Sequence, residues 1–311
     1  MTPLTIDVIV PSVGRPRDAQ QAVESVRRAI ESRLDPGLQI HVIVVHREDD
    51  LPTHAAAVAS GARPVHVSQA GLAHAMRAGA EASTAEVVAF LDDDARMRPD
   101  WFDHVAPHYD NPRVGGVGGA DVQPNGYAVR IAQDNIGQID RFGRVLGGHH
   151  QATGSARVVS HLKGANCSFR RESFIRWPYQ GSVAGRGAQA RNEFIASLAI
   201  HAQGLDLILD PEAVVDHYPA PREAGDARGD ASKAYETAYN EVFGFAMSDH
   251  PRRLRNMIFL ATVGYRNTPG MVRLLLRQTT AAHVKATLSG LTAGHRAGRQ
   301  FRHSSSAEAS R

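Results

Sequence analysis

The chain has 311 residues, 42% of them hydrophobic, which is enough to bury one large domain or a domain with an appendage. Its single cysteine, Cys167, excludes an internal disulfide and fits a reducing compartment; the opening MTPLTIDVIVPSVGRP predicts no secretory leader, and no run reaches the ~18 apolar residues of a spanning helix. The formal net charge of +3 is unevenly placed: residues 1–250 hold 24 basic and 31 acidic side chains, whereas residues 251–311 hold 11 basic and one acidic, Glu308.

The first element is a short apolar strand, Ile6 to Val10, broken by Pro11. After it, Ala19, Ala22, Val23, Val26, Ala29, Ile30 and Leu34 recur at helical spacing. QIHVIVVHREDD (39–50) predicts a second strand ending in acids, RPVHVS a third, GLAHAMRAGAEAS a small-residue helix and AEVVAFLDDD a fourth strand ending in carboxylates. Strands that are apolar throughout, alternating with helices, predict a parallel sheet covered on both faces. Ligands bind such sheets beyond the carboxyl ends of the strands. Three of the four strand ends carry polar or turn residues: Pro11-Ser12, Arg47 to Asp50, and Asp92 to Asp94.

Further along, Val114 to Val122 predicts a glycine-softened strand, and residues 128–162 read as irregular. LKGANCSFRRESFIRWP (162–178) predicts a strand and the start of a helix. A helix from about Ala190 to Gln203, a stop at Gly204, a strand, a proline turn and a second short strand lead to His217. The polar loop EAGDARGD follows, then a helix with interspersed aromatics from Lys233. The tail from Arg252 is helical in pattern to about Ala293, and RAGRQFRHSSSAEASR has the composition of a disordered end.

Three adjacent carboxylates repel one another, so Asp92, Asp93 and Asp94 need a compensating partner. Carboxylates at a strand end can face one side and share a divalent cation, which then anchors a diphosphate. The alternative is a capping cluster that satisfies nearby backbone amides. The position of the triplet after an apolar strand of an alternating α/β pattern favours the cation.

Five segments, in order, carry a resemblance to a known family: DVIVPSVGRP; IHVIVVHREDD; GLAHAMRAGAEASTAEVVAFLDDDARMRPDW; HLKGANCSFRRESF; and RNEFIASLAIHAQGLDLILDPEAVVDHYPAPR. Together they resemble the inverting nucleotide-sugar glycosyltransferases of family 2, and VDHYPAPR resembles one bacterial branch. The resemblance implies an α/β protein with the GT-A fold: a Rossmann-like, mostly parallel sheet with flanking helices, plus a C-terminal helical appendage. The expected boundaries are 1–222 for the transferase domain, 223–293 for the helical region and 294–311 for a disordered tail.

The resemblance also assigns roles by position. Asp92 to Asp94 match the Asp-x-Asp motif, with Asp94 and His217 as ligands of Mn²⁺ or Mg²⁺ and Asp92 and Asp93 toward the donor's ribose or phosphate. Pro11, Ser12 and Arg15 match the first donor-nucleotide loop. Glu48, Asp49 and Asp50 match the acid that holds the base, and Asn166 lies in the segment lining the sugar pocket. Glu193 stands where the family places its catalytic base. Apart from the resemblance, Arg222 and Arg228, on the loop after His217, are candidates to close over the phosphates, with a solvated loop as the alternative. Two departures stand out. Asn192-Glu193 replaces a pair of acids, and Met76-Arg77 stands where the family has Arg-Asn before a glycine.

An inverting transfer needs a carboxylate that deprotonates the acceptor hydroxyl opposite the leaving diphosphate, and a charge that neutralises the diphosphate. Glu193 opens an otherwise apolar helix, where the helix dipole favours its anion and burial opposes it. The competing readings of the chain are a nucleotidyltransferase, weakened by the single glycine in PSVGRPRD, and a non-catalytic nucleotide-sugar binder. The basic tail, with apolar clusters and regularly placed arginines, suits helices lying on a membrane surface; packing on the body or a dimer contact is the alternative. Few aromatics and no reader motif argue against nucleic acid. These features place the chain in the cytoplasm, peripheral on the inner face of the plasma membrane, acting on a saccharide or lipid-linked acceptor of the cell envelope.

Overall fold

The computed structural model describes residues 3–123, 132–219 and 230–309. In chain order its elements are β1 (Thr5–Pro11), α1 (Pro16–Ser32), β2 (Gln39–Arg47), α2 (Leu51–Ala59), β3 (Arg63–Val67), α3 (Leu72–Ala82), β4 (Val87–Phe90), β5 (Ala95–Met97), α4 (Trp101–Val105) and β6 (Val114–Val122). Then come β7 (Arg157–Val159), β8 (Cys167–Arg170), α5 (Arg171–Ile175), α6 (Asn192–His201), β9 (Asp206–His217), α7 (Ala231–Met247), α8 (Arg253–Thr262), α9 (Met271–Leu275) and α10 (Ala281–Ala309).

Alternation along β1 sorts its side chains between two cores. Ile6, Val8 and Val10 pack with α1, α2 and α4 on one face, while Ile9 packs with α3, α5, α6 and α7 on the other. Both faces are therefore covered, as an apolar parallel strand requires. Each fully buried Val, Ile or Leu contributes roughly 1.5–3 kcal/mol. The sheet order is β3-β2-β1-β4-β8-β6-β9-β5, with β7 also on β9. The first four strands by sequence run parallel to one another. β8 is antiparallel to both β4 and β6, and β6 is parallel to β9. The C-terminal ends of β1, β2, β3, β4, β6 and β9 thus point the same way, and polar residues collect at that edge.

Two expectations are corrected. Residues 206–217 form one strand, not two around a proline turn. Its register on β6 jumps from Gly118↔Leu209 to Ala120↔Val214, so Pro211 sits in a bulge, where a missing backbone N–H costs no ladder bond. The tail is also helical past residue 294: α10 lies along α7, with Ala297 and Phe301 packed on the second core cluster and Arg302 ion-paired to Asp249 at 2.6 Å. Its composition signals disorder, but its buried face supplies the ordering energy that composition does not register. The loop holding Arg222 and Arg228 lies outside the described residues.

Candidate active site

Pairing geometry brings the acids and the histidine together. β4 ends at Phe90, so Asp92 to Asp94 sit in the turn to β5, and β5 pairs antiparallel with the end of β9, setting Ala95 opposite His217. As a result His217 Nε2 lies 3.2 Å from Asp94 Oδ1. One ligand atom each from Asp92, Asp94 and His217 fall within 4.8 Å of one another. Asp121, late on β6, closes the other side: its carboxylate lies 3.5 Å from His217 Nδ1 and accepts a hydrogen bond from Lys163.

The triplet's three carboxylates are accommodated differently. Asp93 is 1% exposed, accepts a hydrogen bond from Ser12 Oγ at 2.7 Å and pairs with Arg15 at 2.8 Å. Burial still pushes its pKa up to about 7, against the pull of Arg15 and Ser12. Burial, reinforced by the charges of Asp94 and Glu193, also pushes Asp92 up to about 7. Burial disfavours a charged His217, yet its hydrogen bonds to Asp121 and Asp94 outweigh that and raise it to about 9. Asp121, which burial alone would raise, is held below the usual carboxylate range by His217 and Lys163. The site is a pocket of excess negative charge, and a divalent cation suits its oxygen and imidazole donors.

Glu193 is the second residue of α6, whose N-terminus is reached through Arg191 in a left-handed conformation (φ +72°). Its carboxylate packs on Gly164 so closely that a Cβ there would lie 1.9 Å from Oε1. Burial raises its pKa above the ordinary glutamate value, while its own backbone N–H and the charges of Lys163 and Arg191 pull the other way. A raised pKa makes it the stronger base.

The second strand end forms a cavity of about 340 Å³ lined by Arg47, Glu48, Asp49 and Ser68. Asp50 is engaged elsewhere. It caps α2 through Thr53 N–H and accepts the Gly14 N–H at 2.6 Å, which leaves Glu48 and Asp49 to face the cavity. Pro11 ends β1 opposite Val45, and Ser12 and Arg15 follow it toward Asp93.

Asn166 corrects its expected role in the sugar pocket. It is 2% exposed, its Oδ1 accepts from Trp101 Nε1 at 2.8 Å, and its Nδ2 donates to Ala120 and Ala213 carbonyls. With both amide hydrogens committed, the side chain ties β6 to β9 and α4 and does not face a ligand. Asp121, Lys163 and Gly164 were not expected in the site. The cue for Asp121 was present, an apolar strand ending in an acid (VGGVGGADV), the same pattern that marked β4.

Comparisons with known proteins show the family and the fold. The family model described as "Glycosyl transferase family 2" matches residues 7–176. A protein of Haloferax volcanii named glucosyl-dolichyl phosphate glucuronosyltransferase is 29% identical over 153 residues, and the match spans 47% of this chain and 47% of that relative. Among solved structures, the mannosyltransferase PcManGT of Pyrobaculum calidifontis, in complex with GDP-Man and Mn²⁺, superposes with a TM-score of 0.52 at 17% identity, covering 98% of this chain and 80% of that one. S. aureus TarS in complex with UDP-GlcNAc gives 0.57 at 12% identity, covering 98% and 92%. At these identities the structural likeness speaks for the fold, which is GT-A.

Proposed function

The chain belongs to glycosyl transferase family 2, and from that premise we propose that it moves a sugar from a nucleotide-diphosphate sugar to an acceptor hydroxyl, with inversion and with help from a divalent cation. The observation that carries this reading is the convergence of Asp92, Asp94 and His217 at the strand edge where Glu193 also faces. Asp92, Asp94 and His217 would hold Mn²⁺ or Mg²⁺, which when bound neutralises charge on the departing diphosphate. Glu48 and Asp49 face the cavity suited to the base. Arg15, through Asp93, fixes the loop after β1. Glu193, partly exposed at the start of α6, takes the acceptor proton.

The acceptor class follows from two supports. The Haloferax relative is named for a lipid-linked acceptor, and the exposed basic and apolar residues of the C-terminal helices suit a lipid surface. Residues 250–307 contain no acid. Leu275 and Leu276 are 77% and 61% exposed. Beside them a groove of about 440 Å³ is lined by apolar residues such as Met271, Leu274 and Leu288 together with Lys285, Ser289 and Thr292. No helix among the described residues is long and apolar enough to cross a membrane; the contact we propose lays these helices on the surface, with arginines at the phosphates and leucines inserted. We therefore place the enzyme at the inner face of the membrane, acting on a lipid-linked or saccharide acceptor in envelope synthesis.

The test is a donor screen of UDP-, GDP- and dTDP-sugars with Mn²⁺ or Mg²⁺, read by thermal shift and by product anomer in NMR. Metal-dependent stabilisation by one donor that disappears in Asp94→Ala, with an inverted product, is the expected result. Full activity in Asp94→Ala overturns the metal assignment. Release of pyrophosphate from a nucleoside triphosphate transfers the site to nucleotidyl chemistry.

A further inference from the structure

The catalytic helix α6 is reached through an unusual stretch. Gln189 and Arg191 both have positive φ (+42° and +72°), although neither is glycine. Such residues persist only where their surroundings over-determine them. Here the surroundings are one face of α7. Glu236 Oε1 accepts the Ala190 N–H at 2.9 Å. Asn240 Oδ1 accepts the Ala184 N–H at 2.8 Å, and its Nδ2 donates to the carbonyls of Ala184 and Ala190. Glu241, 1% exposed, pairs with Arg191 at 2.9 Å. The Arg191 guanidinium also lies over the rings of Phe194 and Tyr265.

Glu241 is fixed in turn. Asn256 of α8 donates to its Oε1 at 2.7 Å, and the Tyr265 hydroxyl donates at 3.3 Å. On its far side the 184–191 loop is tied to the start of α3, where Gly187 O accepts the Leu72 N–H at 3.0 Å and Gln189 Oε1 accepts the Ala73 N–H at 2.9 Å. α7 and α8 both lie beyond the residues matched by the family model.

We propose that Glu236, Asn240 and Glu241 are positioning residues: the C-terminal helical region holds the loop 184–191 so that Glu193 meets the acceptor. This rests on Glu193 being the base. Misplacing a catalytic group by about 1 Å costs on the order of 100-fold in rate. The full-length Glu241→Gln and Glu236→Ala variants should therefore lose about that factor in kcat, with donor KM unchanged, since the donor groups of β1, β2 and β4 are not touched.

Amide hydrogen exchange of residues 184–195 should quicken in both variants, while exchange in β1 and α1 stays as in the wild type. Adding Arg191→Gln to Glu241→Gln should restore part of kcat, because it removes the partly buried cation left without its partner. Wild-type kcat with wild-type exchange in both variants overturns the proposal. Should Glu241→Gln lose protection throughout the core, Glu236→Ala decides, because Glu236 is at the partly exposed edge: unchanged exchange at Ala190 together with wild-type kcat overturns it. The exchange readout needs no turnover, so the two failures are distinguishable: a wild-type chain that transfers no sugar sinks the functional reading and the catalytic purpose with it, whereas unchanged exchange in both variants sinks the hold of α7 on the loop.

Discussion

Asp92, Asp93 and Asp94 are neighbours in the chain with different surroundings: Asp93 is buried and tied to Ser12 and Arg15, Asp94 faces His217, and Asp92, half-buried, feels the charges of Asp94 and Glu193. This division is how the fold holds three carboxylates in sequence. Glu193→Gln keeps the shape of the base but cannot accept a proton. It should lower kcat by on the order of 10²–10⁴ and leave the metal-dependent thermal shift with donor intact; unchanged kcat would remove Glu193 from its role. Gly164→Ala probes the same group from outside. Its Cβ would lie 1.9 Å from the Glu193 carboxylate, so the base must turn away. Activity should fall as in Glu193→Gln, with the melting temperature little changed, because a side-chain end can move where a backbone cannot. At this scale the sequence showed what was local. The DDD triplet after an apolar strand was legible, and so was the acid heading α6. Asp121 had only the cue of an acid ending an apolar strand, and Lys163 had none; both join the site only when β6 and the segment before β8 come alongside β9 and β4, and no spacing within the chain encodes that approach.

The elements follow the same division between local and distant information. Apolar runs and helical spacing placed β1 to β4, α1 and α3 within a few residues, since each signal is completed inside its own segment, whereas α2 (Leu51–Ala59) was not read. β9 was divided because a proline reads locally as a stop, and only pairing with β6 reveals the bulge that tolerates it. α10 was ended early because its order comes from α7. Gly290, Gly294 and Gly298 recur every four residues and let the two backbones approach: a Cβ at Gly294 would lie 2.3 Å from Tyr239 O. Alanine at an exposed helical position gains up to about 1 kcal/mol over glycine, whereas overpacking costs about 1–3 kcal/mol. Against a backbone atom that cannot swing aside, the second term wins. Gly294→Ala should therefore lower stability in urea melts despite its better helix propensity. A stabilised variant would show that α10 does not sit against α7 in solution.

At the scale of the whole molecule, buried histidines beneath the site set how the fold answers acid. His149 is 1% exposed and its Nε2 donates to the His161 carbonyl at 3.1 Å. Burial depresses its pKa to about 4. His161 is 3% exposed and is depressed well below the ordinary value by burial and by His149. Between pH 6.5 and about 4 the unfolded chain takes up protons on these rings that the folded chain refuses, so stability falls as pH drops through that window. Asp92 and Asp93, raised to about 7, act oppositely, because the folded state binds their protons first. The net slope in the wild type is therefore a difference of opposed contributions, and only a comparison isolates one. For His149 the linkage amounts to about 2 kcal/mol lost between pH 7 and pH 5. In His149→Gln that loss disappears while the carboxylate contributions remain. The variant should be less stable than wild type at pH 7, where a fitted ring is exchanged for an amide, and should recover relative to wild type by about 2 kcal/mol at pH 5. Urea midpoints at the two pH values measure this directly. Parallel shifts in both proteins would mean that His149 is reached by water and titrates in the folded state as it does in the unfolded one.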